Sequence, residues 1–150
     1  VEPHLQYCNI IWAGHRTSVL RELFLCQKRL MRTMTNSSRL THSAPLFKQL
    51  SILPVYDINN LQVGCFMYSA VNRLLPQCFS SMFVTNSTLH SYRTRRHNDI
   101  HQTQFRLNIT KFSIRVYGAL LWNSLDSEIK CLPTLSSFKN RYKQNLIASL

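Results

Sequence analysis

Between Pro54 and Leu74 the apolar residues stop keeping to one side. Ile58, Leu61, Cys65, Phe66, Met67, Tyr68, Ala70, Val71 and Leu74 cover more than one face of a helix drawn through the segment. A helix that is apolar around most of its circumference needs neighbours on most sides. The segment therefore predicts a central, buried helix with others packed around it. Pro54 suits its head, because proline's fixed φ is compatible with a first helical turn. Pro76 interrupts it, and Cys78, Phe79, Met82 and Phe83 form a short apolar return.

The flanking segments have one apolar side each. Leu5, Cys8, Ile11 and Trp12 predict a short helix over residues 3–13 that ends near Gly14. Val19, Leu20, Leu23, Phe24, Leu30, Met31 and Met34 repeat at helical spacing with Gln27 in the same stripe, and Arg21, Lys28, Arg29 and Arg32 lie opposite. A further helix starts at Ser43 and turns Leu46, Phe47 and Leu50 inward. Another runs from Gly118 to Leu125, and the last begins near Thr134–Ser136 with Leu135, Phe138, Tyr142, Leu146 and Ile147 on one side. Between them, His90 to Arg96 and Thr110 to Tyr117 alternate in the manner of short strands. The expected fold is mainly α: one domain over residues 1–150, with five or six helices and a small β-hairpin or extended element at about 88–117.

Charge and residue supply narrow the function. Eighteen Lys and Arg face six Asp and Glu, a net charge of +12 in 150 residues. The excess is spread, at +5, +2 and +5 over successive thirds. Such a balance favours a polyanion partner, because neutralising phosphates releases condensed counterions. Three aspartates (Asp57, Asp99, Asp126) and three glutamates (Glu2, Glu22, Glu128) are scattered, which argues against a carboxylate-rich metal site. Three isolated glycines cannot build a phosphate-cradling loop. His97 and His101 have half of a zinc-finger spacing, and His4 with Cys8 imitates a ligand pair, yet neither has a Cys-x-x-Cys partner. No metal or cofactor is expected. The odd count of five cysteines, far apart and mostly in apolar contexts, reads as reduced, buried thiols in an intracellular, reducing compartment. The longest apolar stretch, Val63 to Val71, is too short to span a bilayer, so no membrane is expected as a partner. A first residue of Val and no visible signal peptide read as a fragment of something longer.

Several short motifs recur in a fixed order: Tyr7-Cys-Asn-Ile-Ile-Trp, Leu23…Gln27-Lys-Arg…Arg32, His42-Ser-Ala-Pro-Leu-Phe…Leu50-Ser-Ile-Leu, Asp57…Leu61…Phe66-Met-Tyr, Leu75-Pro, His90-Ser-Tyr…Thr94-Arg, Leu121-Trp-Asn-Ser-Leu and Leu135-Ser-Ser-Phe-Lys. Together they resemble the C-terminal, post-polymerase region of the reverse transcriptase of non-LTR (LINE-like, jockey-type) retrotransposons, over nearly the whole chain. The resemblance implies a parent polyprotein with an endonuclease and an RNA-directed DNA polymerase upstream, acting by target-primed reverse transcription in the nucleus or cytoplasm. Ala119 and Asp126 stand where the family often has proline, and the loop at 97–109 departs from the usual Arg-Thr-rich form. Those departures imply a divergent or decayed copy.

Polymerase chemistry needs two metal ions held by aspartates, normally with a Tyr-x-Asp-Asp turn, and no Asp-Asp pair occurs. The expected role is therefore non-catalytic. Arg93, Arg95 and Arg96, with Tyr92 interleaved, are the foremost candidates for nucleic-acid contact, followed by Arg106, Lys111 and Arg115. Arginine pairs bidentately with phosphate and aromatic rings stack on unpaired bases. Lys28, Arg29 and Arg32 form a second candidate surface. The alternatives are a polar hairpin that staples the tail, with Arg93 or Arg95 capping helix carbonyls, and an ordinary solvated helix face. At the level of the whole chain they are a structural module packed on the parent's polymerase domain, and a translated relic. Expected partners are RNA or DNA (the element's transcript or its target site) and that polymerase domain. Trp12 and Trp122 read as core residues.

Overall fold

The computed structural model describes residues 2–13, 17–79 and 81–150, with side chains for 3–13, 20–79, 81–107 and 110–150. The chain is mainly helical. Its order is α1 (Glu2–Gln6), α2 (Asn9–Trp12), α3 (Thr17–Met34), α4 (Ser43–Leu50), α5 (Val55–Val71), a 3₁₀ turn (Gln77–Phe79), α6 (Asn86–Leu89), α7 (Asn108–Lys111), α8 (Ile114–Ser124), α9 (Ser127–Lys130) and α10 (Leu135–Ala148). Two compact units divide the chain: residues 1–62 with 139–150, and residues 63–138.

In the first unit the amphipathic stripe of α3 packs as its spacing predicts up to Met31, whereas Met34, expected in the same stripe, is 58% exposed at the helix end. Leu20 and Val55 are buried with Ala13, and Leu23, Phe24 and Tyr56 pack against them. Met31, Leu46 and Phe47 form an adjoining cluster with Leu30, Leu50, Ile52 and Leu150. Gln27 lies in the same stripe, buried, and its carboxamide has a structural task. Its Nε2 donates to the Leu53 carbonyl at 2.8 Å, and its Oε1 accepts from the Val55 amide at 2.9 Å. The Val55 N–H is one of the helix-start donors of α5 that has no partner inside the helix. One side chain thus satisfies both polar backbone groups around Pro54 and fastens the head of α5 to α3. A second carboxamide pair works nearby: Asn59 Nδ2 donates to Asn9 Oδ1 at 2.9 Å, and Asn9 Nδ2 donates to the Leu5 carbonyl at 2.8 Å.

The second unit is centred on three aromatic side chains. Tyr68 and Phe138 have ring centroids 4.8 Å apart, Trp122 lies 5.9 Å from Phe138, and the Tyr68 hydroxyl donates to the Leu132 carbonyl at 2.6 Å. Gly118 lets α8 approach Met67 closely, since a Cβ there would stand 2.7 Å from Met67 Sδ. Phe66 meets Phe79 and Phe83 edge-on, which holds the apolar return after Pro76. Thr134 caps α10, its hydroxyl accepting from the Ser137 amide.

Helices α3, α4 and α5 end in one way. Asn36, Ser51 and Arg73 adopt left-handed φ values of 50°, 53° and 56°. In each case two amides then turn back onto carbonyls of the last turn: Asn36 and Ser37 onto Thr33 and Arg32, Ser51 and Ile52 onto Lys48 and Phe47, Arg73 and Leu74 onto Ala70 and Ser69. Glycine usually fills this position because a Cβ there is disfavoured by roughly 1 kcal/mol. In a chain with three glycines the paired hydrogen bonds offset that strain.

Several expectations need correction. Among the described residues there is no strand, so of the two forms expected at about 88–117, a β-hairpin or an extended element, the hairpin is not formed. One isolated antiparallel bridge joins Thr85, outside that range, to Ile100 within it. The Ile114-Arg-Val-Tyr alternation belongs to α8, because Val116, Ala119 and Trp122 share one buried face and carry the helix back to Ile114. The first helix is broken at Cys8, whose φ is 48°, and Trp12 stays 36% exposed with its indole N–H on the Tyr7 carbonyl. The expected end of that helix at Gly14 and the inward Val19 side chain lie outside the described residues. Cys8, Cys26, Cys78 and Cys131 are exposed thiols and Cys65 is half-buried, so the expectation of buried thiols was wrong. Cys26 shows why: it sits one position off the stripe that buries Gln27.

Replacing Gln27 by Leu strands a buried amide and a buried carbonyl, at about 1–3 kcal/mol each. Gln27→Leu should therefore lower unfolding free energy by about 2–4 kcal/mol in urea titrations, whereas a merely apolar role would leave it unchanged. Asp57, in the first turn of α5, has its pKa raised above the ordinary 3.8 by burial, with the Asn60 amide hydrogen bond opposing. A carboxyl held up in the folded chain favours folding at low pH, and the advantage is lost as pH rises through the raised value. Stability relative to Asp57→Asn should accordingly fall as pH rises from the ordinary value of 3.8 through the raised one. A constant difference across that range would contradict this assignment.

Candidate nucleic-acid interface

The segment from Val84 to His101 is a loop tied at its neck. The His101 amide donates to the Val84 carbonyl at 2.7 Å, and the Asn86 amide donates to the Asp99 carbonyl at 2.9 Å. The Asn86 side chain reaches further in, its Nδ2 donating to the Arg96 carbonyl at 2.8 Å. Asn123, on α8, closes the neck from outside. Its Oδ1 accepts from the Ile100 amide at 3.0 Å and its Nδ2 donates to the Ile100 carbonyl at 2.9 Å, as a neighbouring strand would. Ile100 itself is buried. The Leu121-Trp-Asn-Ser-Leu run thus sends Trp122 into the aromatic core and Asn123 to the loop. Such closed loops, packed at the neck, commonly carry function at their tips.

The tip carries Tyr92, Arg93, Arg95 and Arg96, all exposed, with Tyr92 at 78%. None of the three guanidinium groups has a hydrogen bond or ion pair among the described residues. The helix-capping alternative for Arg93 and Arg95 therefore has no bond to rest on there. Tyr92, Arg96, Asp99, His101, Asn86 and Asn123 line a concavity of about 420 Å³ on this loop.

Arg106, Lys111 and Arg115 are also exposed, but they stand on three different elements: a bend, the end of α7 and the first turn of α8. None of them lines that concavity. With α8 replacing the expected strand, these cations do not continue the arginine row.

The basic face of α3 divides. Lys28 places its ammonium 4.2 Å from the Phe24 ring centroid, a cation–π contact that commits it within the unit. Arg32 donates through Nε to the Thr41 carbonyl at 3.0 Å and holds the loop after α3. Arg29 remains exposed, and with Arg32 and Arg39 it borders a concavity of about 780 Å³. Arg39 was missed from sequence because only the left-handed turn at Asn36 folds it back beside α3. Asn86 and Asn123 were missed as positioning residues because their partners are backbone atoms 10 and 23 residues away.

Among the described residues no group of three His, Cys, Asp or Glu side chains could hold a metal ion, and no helix is long and apolar enough to cross a membrane. Fold and site thus define a mainly helical, strongly basic protein with an arginine loop pinned at its base. No protein-family model, curated protein or solved structure matches the chain.

Asn123→Ala should release the loop while leaving the Trp122 core in place. Amide exchange at Ile100 is expected to accelerate by roughly tenfold or more, since a lost pair of hydrogen bonds is worth about 1–3 kcal/mol. Unchanged protection at Ile100 would mean that the bridge to Thr85 alone holds the neck.

Proposed function

We propose that this chain is a non-catalytic, post-polymerase region of a non-LTR retrotransposon reverse transcriptase, which grips template RNA or target DNA beside the polymerase. The observation that carries the nucleic-acid part is the loop tip: three exposed guanidinium groups without partners among the described residues, on a backbone whose neck is fixed. Holding the loop in advance lowers the ordering cost of binding. The arginine grip is electrostatic and directed at phosphates, contacts that position the strand and in themselves carry no sequence information. The retrotransposon part rests on the ordered motifs shared with that family. It implies action inside the cell, at the element's transcript or its nuclear target.

A second reading, a module that packs on the polymerase without nucleic-acid affinity, is favoured by the exposed Tyr7 and Ile11 near α2, at 76% and 70%. A salt titration separates the two. Binding of the chain to single-stranded RNA should weaken steeply with salt, and Arg93/Arg95/Arg96→Ala should reduce the log–log slope by about 2, at roughly 0.7 per phosphate. If the chain binds no better at physiological salt than a basic control protein of similar charge, gripping is excluded. An open reading frame upstream that encodes a Tyr-x-Asp-Asp turn is the expected genomic context; an unrelated start or a stop codon would favour the relic.

A further inference from the structure

We infer that the concavity at the base of the arginine loop receives a single unpaired base, and that Asp99 makes guanine the preferred one. The inference rests on the nucleic-acid reading above and goes beyond it, because a phosphate grip is indifferent to base identity.

The argument starts from an acidic side chain where a phosphate-gripping surface should have none. Asp99 is the sole carboxylate between Ile58 and Leu125. It lines the concavity together with Arg96, yet it forms no ion pair with Arg96 or any other cation among the described residues. Neutralising the arginines is therefore not its task. Its position is built with unusual care. Its amide donates to the Arg96 carbonyl at 3.2 Å, and its carbonyl accepts from the Asn86 amide. The next residue, Ile100, is buried and clamped on both sides of its backbone by Asn123. Arg96 is held by the same Asn86 side chain. A carboxylate and a guanidinium, both lacking side-chain partners, are thus carried on a fixed backbone around a space of about 420 Å³. That is near the lower end of the range for small-ligand sites, roughly 300–1,000 Å³.

An ionised carboxylate only accepts hydrogen bonds. Among the bases, guanine alone offers two adjacent donors, N1–H and the N2 amine, on its Watson–Crick edge, and these match the two carboxylate oxygens. Adenine offers a donor beside an acceptor, and uracil and cytosine present one donor position each. Arg96 then meets the nucleotide's phosphate, and exposed Tyr92 supplies a stacking face. The carboxamides of Asn86 and Asn123 are engaged with the loop and leave the reading to Asp99.

The test is fluorescence anisotropy of the full chain with ten-nucleotide uridine oligomers carrying one central guanine, adenine or hypoxanthine. Guanine should bind about tenfold tighter than adenine, the range for one good bidentate contact. Hypoxanthine, which lacks the N2 amine, should fall between them. Asp99→Asn should abolish the guanine preference while the salt slope stays, and Tyr92→Ala, at an exposed position, should weaken all three oligomers alike. Circular dichroism checks that both variants are folded. Equal affinity for the three oligomers in the unaltered chain, or a guanine preference that survives in Asp99→Asn, overturns the base site and leaves the phosphate grip standing. Absence of salt-dependent binding to every oligomer overturns the grip, and the base site with it.

Discussion

Gln27 shows on what this fold depends. Its carboxamide carries a donor and an acceptor side by side, so it pairs at once with the Leu53 carbonyl and the Val55 amide. Pro54, between them, has no N–H of its own, and the chain there is passing from extended link into helix. Two backbone groups would otherwise be buried without partners, each at about 1–3 kcal/mol. With them paired, α5 can start inside the apolar cluster of its unit rather than at the surface. The first unit's packing against Val55, Ile58 and Leu61, all under 5% exposed, follows from that start.

The same chemistry recurs where the second unit leaves regular structure. Asn123 does for Ile100 what Gln27 does around Pro54, and Asn86 ties two turns of the loop to each other. Carboxamides suit a chain with few glycines and few carboxylates. Glycine would permit irregular backbone without fixing it, whereas a carboxamide bonded at both ends fixes it. Arginine therefore need not hold the loop together and is left at its tip. On α3 the cations have a different fate, for Lys28 rests on Phe24 and Arg32 braces Thr41. Residues of one chemical type, read as one class in sequence, divide into structural braces and unpaired charge.

What was legible in the sequence is what periodicity controls. The all-round apolarity of residues 54–74 marked a buried helix, and Val55, Ile58, Leu61, Val63, Met67 and Tyr68 are buried, but the helix ends at Val71, and Val71 and Leu74, expected to pack, are 47% and 61% exposed. The starts of α3, α4 and α10 fell within a residue or two of their expected places. Alternation misled at Ile114–Tyr117, since a β-branched pair flanking Arg115 fits a strand as well as the outer turn of a helix, and the helix prevailed through burial further along. The two tryptophans looked alike in their stripes, but Trp122 meets Tyr68 and Phe138 while Trp12 caps a broken turn. Interactions between a side chain and distant backbone leave no period in sequence, which is why the positioning roles of Gln27, Asn86 and Asn123 emerge only in three dimensions.

The distribution of charge then acquires a physical meaning. Among the described residues the Lys and Arg side chains form no ion pair with a carboxylate. An exposed pair contributes only about 0–1 kcal/mol, so their absence weakens the fold little. Its larger effect is on the surroundings. Guanidinium groups that face solvent without counter-charges hold a diffuse cloud of anions, and a polyanion that replaces the cloud gains the entropy of its release. Fixing the loop at its neck raises that gain, because the charges need not be gathered at the moment of contact. The stability of the fold and the reach of its charge are therefore supplied by different residues, and a substitution at Arg93 or Arg95 leaves the carboxamide scaffold at Asn86 and Asn123 untouched.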